Sequence, residues 1–78
     1  PDAEARAVGV EALFRHPSDD HVRLLAARLP DPDPGVRGKA RGALQELAAD
    51  RRALVVDLAT AALNAPDWRG QEQAAVLL

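Results

Sequence analysis

Residues 29–49 read Leu-Pro-Asp-Pro-Asp-Pro-Gly-Val-Arg-Gly-Lys-Ala-Arg-Gly-Ala-Leu-Gln-Glu-Leu-Ala-Ala. From Val36 onward the apolar positions Val36, Ala40, Ala43, Leu44 and Leu47 follow i, i+4, i+7, i+8 and i+11, the stripe of one helical face. Asp33 can cap this helix, and Pro34 falls at its first position, where the missing N–H costs nothing. Pro30 and Pro32 stop any helix arriving from upstream. The stretch is therefore a helical hairpin: one helix ends near Leu29, a stiff acidic turn follows, and a second helix runs back.

The rest of the chain repeats this plan. Residues 3–16 carry helix formers broken only by Gly9, and Ala12-Leu13 align with Ala43-Leu44 at an offset of 31. Ala5 then falls on Val36, Arg6 on Arg37 and Gly9 on Ala40. Ser18 can cap the next helix, with Asp19 and Asp20 in its first turn where the dipole favours negative charge. Its stripe is Val22, Leu25, Ala26 and Leu29. Asp50 is read as the cap of a fourth helix, whose wide apolar arc from Leu54 to Leu63 implies burial from two sides. Asp67 caps a fifth, and at an offset of 34 Pro66-Asp67 falls on Pro32-Asp33 and Ala74 on Ala40. Trp68 has no counterpart, and Gly70-Gln71 stands where the central copy has Val-Arg.

Asp31, Pro32, Asp33, Val36, Arg37, Ala40, Ala43, Leu44 and Leu47 resemble the second half of a HEAT repeat, more closely the short bacterial HEAT-like repeats named after the phycobilisome lyases. The resemblance implies an all-α, right-handed solenoid of five short helices spanning residues 1–78. Residues 3–16 would be the second helix of a preceding repeat, and residues 18–49 and 50–78 two repeats. A closed five-helix bundle is the rival that short loops also permit. Recurrence at fixed offsets favours the solenoid. In the family the equivalent of Arg37 pairs with turn carboxylates, so Asp31 or Asp33, or Asp67 of the next repeat, are its expected partners.

Seventy-eight residues make one domain at most, with a thin core. The absence of Cys removes disulfides and thiolate metal sites. No signal peptide or membrane-spanning run is read, so the expectation is a soluble, cytoplasmic chain with no membrane partner. The chain lacks Met and stops inside an apolar pattern, and it reads as a segment of a longer protein. Ten basic and twelve acidic residues are interspersed, which gives no global field for nucleic acid.

Candidate chemistry is sparse. A nucleophile needs a nearby base, and Ser18, Thr60 and Lys39 lie in no recognisable motif. His16 and His21 are five apart across a proline turn, short of the i, i+4 spacing and the further ligands of a metal site. HEAT-like hydroxylases carry His-Glu pairs for iron, and none occurs here. The glycines at 9, 35, 38, 42 and 70 form no phosphate loop. No catalytic residue, metal or cofactor is expected.

A non-enzymatic protein-interaction scaffold, taking a peptide or partner domain on a concave helical face, is the reading the residues favour. The corresponding positions Arg6, Val10 and Phe14, then Gly38, Arg41 and Gln45, then Gln71 and Ala75 are expected to form that face. Nucleic-acid binding of the HEAT-like DNA glycosylase type is the alternative, with Arg6, Arg37 and Arg41 as its footprint, and the interspersed acidic residues oppose it. A bilin lyase or isomerase role is suggested only by the repeat subfamily's name.

Overall fold

Every helix of this chain starts where a short polar side chain takes an orphan N–H of the first turn. In the computed structural model, which describes residues 2–78, Asp2 caps α1 (Ala3–Arg15) and Ser18 caps α2 (Asp19–Ala26). Asp33 caps α3 (Pro34–Asn64) and Asp67 caps α4 (Trp68–Leu77). The donors are the N–H groups of Ala5, His21, Val36 and Arg69, at 2.8, 3.1, 3.0 and 2.9 Å. The described residues form an all-α domain with no strand.

Four helices are found where five were expected. Asp50, read as a cap, is itself helical and exposed, and the third and fourth expected helices are two arms of α3. Arg51, with φ −132° and ψ 42°, is the non-helical residue between them. A straight 31-residue helix would be about 46 Å long, whereas the molecule measures 30 Å in its longest direction. The chain therefore has to fold back within α3. No Gly or Pro lies between Gly42 and Pro66, and the chain is helical on both sides of Arg51. The bend is held by burial on both sides, Leu44 and Leu47 before it and Val55 and Ala59 after it. Arg51 Nε also donates to Asp19 Oδ1 at 3.1 Å, tying the corner to the start of α2.

α2 ends at Ala26, earlier than the stripe suggests, and the chain tightens as Arg28 N–H bonds Leu25 O and Leu29 N–H bonds Ala26 O. Leu29 stays fully buried all the same. It joins Val10, Val22, Leu25, Val36, Ala40, Ala43, Leu44, Leu47 and Val55 in one core cluster.

α3 touches the three other helices and α1 touches α2, while no Cα of α1 or α2 comes within 8 Å of one in α4. The first and last helices therefore do not close on each other. In its thinnest direction the molecule measures 16 Å, room for two packed helix layers at an interaxial spacing of about 8–10 Å. α4 comes close to the turn between α2 and α3, where a Cβ built on buried Gly70 would stand 3.4 Å from Pro30 Cβ.

Candidate functional site

The acidic turn between α2 and α3 is built around Asp31, which is 4% exposed. Arg6, from α1, grips it as a fork: Nε donates to Oδ2 at 2.8 Å and Nη2 to Oδ1 at 3.1 Å. Asp33 N–H donates to Oδ1 at 2.9 Å, and Arg28 Nη1 stands 3.8 Å from Oδ2. Burial pushes the Asp31 carboxyl up, but the Arg6 fork, the Asp33 N–H and the charge of Arg28 outweigh it and hold it below its ordinary value. The hydrogen bond to Asp31 in turn raises the Arg6 guanidinium. Arg6 was expected on the docking face; instead it pins α1 to the turn.

Arg37 was expected to pair with the carboxylate of Asp31 or Asp33, or with Asp67. Asp31 is engaged by Arg6, Asp33 by the Val36 N–H of its own cap and Asp67 by the Arg69 N–H. Arg37 Nη1 donates to main-chain oxygens of the turn, Asp31 O at 2.8 Å and Pro32 O at 3.1 Å. Its guanidinium also lies 5.8 Å from the centroid of the Trp68 ring, and that of Arg69 lies 5.0 Å from it. Thirty-four residues on, Gln71 Nε2 donates to Ala65 O at 2.6 Å, the same six-residue reach back to the preceding turn. Ala65 holds the register of Asp31, so the later turn offers no carboxylate to Arg37 as Asp31 does to Arg6. The face of Trp68 stands beside Arg37 there.

The remaining positions of the expected face divide. Val10 is 2% exposed and belongs to the core. Phe14 is half-buried against that core and, with Val10, Glu11, Lys39, Gly42, Ala43 and Glu46, lines a groove of about 190 Å³ between α1 and α3. Lys39 Nζ and Glu11 Oε1, 2.6 Å apart, bridge its mouth, and this hydrogen bond holds the Glu11 carboxyl below its ordinary value. Arg41 is half-buried, and its Nε is buried without a hydrogen-bond partner among the described residues. A Cβ at Gly38 or Gly42 would meet nothing within 4 Å. Gln45 is exposed, and with Ala48, Ala49, Arg52, Val55, Val56, Leu77 and Leu78 it lines a wider groove of about 520 Å³. Gln71 serves the turn, and Ala75 is exposed.

α3 touches α1, α2 and α4, and along it Gly38, Gly42, Gln45 and Ala49 form a ridge whose two glycines are half-buried and whose Gln45 and Ala49 are exposed. No family model matches the chain, and no curated protein and no solved structure matches it significantly.

The candidate nucleophiles have local structural partners. Ser18 Oγ accepts from His21 N–H, Thr60 Oγ1 donates to Val56 O at 2.8 Å, and Lys39 meets Glu11. His21 Nδ1 lies 2.6 Å from His16 O. Among the described residues no group of three or more His, Cys, Asp or Glu is arranged to hold a metal ion, and no helix is long and apolar enough to cross a membrane. The cap at Asp2 and the Trp68 stacking were not read from the sequence. Asp2 is legible in retrospect, because it falls on Asp33 at the offset of 31.

Proposed function

We propose that the chain is a HEAT-like helical-repeat segment that acts as a non-enzymatic protein-interaction scaffold. In this reading α1, residues 34–50 and α4 are second helices of successive hairpins, and a peptide or helix of a partner protein lies across them. Two recurrences support the repeat register. Aspartate caps stand at 2, 33 and 67, and the reach back to a turn carbonyl occurs at Arg37 and again at Gln71. The observation that carries the binding role is the ridge of α3 beside the Phe14 groove. Two interior glycines, each costing a helix about 1 kcal/mol relative to Ala, stand there with no neighbour that a Cβ would touch. They leave main chain open to close approach by a partner.

Duplex DNA suits this surface less well, since Arg6 is engaged by Asp31 and Arg37 by main-chain oxygens and Trp68. The test is affinity capture with the 78-residue chain beside its Gly42→Glu variant, with helicity checked by circular dichroism. The reading predicts a protein partner that the parent retains and Gly42→Glu loses. Salt-sensitive binding of duplex DNA by the parent, with no protein dependent on Gly42, would replace the scaffold with the nucleic-acid reading.

A further inference from the structure

Arg6 shows what a guanidinium does with a carboxylate in this fold: its Nε and Nη2 together hold Asp31. Arg37 stands in the register of Arg6 one copy later, and the turn after it carries Ala65 in the register of Asp31. The two turns share their main-chain contact, since Asp31 O accepts from Arg37 and Ala65 O from Gln71, and differ in the side chain. Arg37 uses only Nη1, on Asp31 O and Pro32 O. Among the described residues nothing accepts from its Nε or Nη2, and neither atom is sealed from solvent. The edge with which Arg6 grips Asp31 is therefore open on Arg37.

The surroundings of that edge are cationic and aromatic. Trp68, 56% exposed, has its ring centroid 5.8 Å from the Arg37 guanidinium carbon and 5.0 Å from that of Arg69. One turn along α3, Arg41 is half-buried, and its Nε is buried without a hydrogen-bond partner among the described residues. Ion pairs engage Arg6, Arg23, Arg28, Lys39, Arg51 and Arg69, whereas among the described residues Arg15, Arg37, Arg41 and Arg52 have none. Arg15 and Arg52 are exposed to water. Arg37 and Arg41 are the half-buried cations without a carboxylate, and they repel each other across one turn of helix.

We infer that this corner is a carboxylate-binding site that takes an extended acidic segment of a partner protein. One carboxylate lies on the Nε and Nη2 edge of Arg37 as Asp31 lies on that of Arg6, beside the Trp68 ring, and a second meets Arg41. Four residues of helix separate the two arginines by about 6 Å. Side chains at i and i+2 of an extended chain leave the same side about 6.6 Å apart, so acidic residues at alternate positions match. Single-stranded nucleic acid fits less well, because Asp33 and Asp67, the caps of α3 and α4, stand beside Arg37 and Trp68 and repel a continuous run of phosphates. The inference rests on the scaffold reading and gives its partner a chemistry.

One arm of the test needs no partner. Ala65→Asp places a carboxylate in the register of Asp31 and should raise the melting temperature, and adding Arg37→Gln should remove the rise. In the other arm a labelled peptide of alternating Glu and Ser is titrated against the chain by fluorescence anisotropy at physiological salt, beside a Gln and Ser counterpart and oligothymidylate. Expected is saturable binding of the acidic peptide alone, weakened about tenfold or more by Arg37→Gln and likewise by Ala65→Asp, whose own carboxylate fills the site. An Ala65→Asp chain that melts no higher than the parent overturns the inference, as does acidic peptide that fails to bind or binds regardless of these substitutions. Oligothymidylate held more tightly than the peptide overturns it in favour of nucleic acid, and self-association that Ala65→Asp abolishes overturns it in favour of a second copy. A captured protein that Gly42→Glu loses and Ala65→Asp keeps overturns it while the scaffold reading stands. Both arms as expected, with no protein lost to Gly42→Glu, supports the carboxylate site and removes the ridge as the docking face.

Discussion

Arg6 and Asp31 meet across 25 positions of sequence in a two-pronged ion pair, with the carboxylate 1% exposed. The pair ties α1 to the turn between α2 and α3, and a buried carboxylate that loses its charge strands the guanidinium gripping it. Asp31→Asn should therefore lower stability by about 1–3 kcal/mol, which for a domain this small is about 4–8 °C in Tm per kcal/mol. Thermal melts of the two proteins check it.

The same pair sets an acid limit. The folded Asp31 carboxyl lies below its ordinary value, so its contribution is complete above the unfolded pKa of about 3.9 and is lost as pH falls through the folded one. The stability gap between the parent and Asp31→Asn should be flat from neutral pH to about pH 5 and close below about pH 4. Denaturant titrations at a series of pH values measure it. A gap that widened on acidification would mean the carboxyl is raised in the folded state.

Arg37 can be compared with its counterpart Gln71, which makes the same carbonyl contact without a charge. Arg37→Gln should hold stability within about 0.5 kcal/mol, the range of surface substitutions, while Arg37→Ala, which removes the donor, should cost about 1 kcal/mol. Trp68 is the sole Trp and reports its own surroundings. Its emission should shift in both variants, since each removes a stacked guanidinium.

Gly38→Ala and Gly42→Ala each add a Cβ into open space inside a helix. Each should raise stability by about 0.5–1 kcal/mol, read as an increase in denaturant midpoint. Gly70→Leu should do the opposite. Its side chain would press on Pro30, where even a Cβ stands at 3.4 Å, and overpacking of this kind costs about 1–3 kcal/mol.

Local signals in the sequence carried most of the fold. Caps at Ser18, Asp33 and Asp67 and the stripe from Val36 to Leu47 lie within a few residues of what they specify, and the offsets of 31 and 34 recur in the caps and that of 34 in the carbonyl contacts. The bend at Arg51 had only the adjacent Asp50, read as a cap, for a signal, since no Gly or Pro marks it and the fold-back comes from burial of both arms. The surroundings of the expected face were misread where they depended on neighbours far along the chain. Val10 looks outward until α3 is placed against α1, and the Arg6 and Arg37 partners could be told apart only once Asp31 was seen to have room for one fork.

The functional account turns on whether a partner touches the ridge of α3. Site-specific photocrosslinking measures this directly, with a photoreactive side chain at Gly42 in one sample and at Leu24, 53% exposed on α2, in another. The scaffold reading predicts a protein adduct formed from Gly42 and none from Leu24. An adduct from Leu24 alone, or one from Gly42 that is nucleic acid, would contradict it.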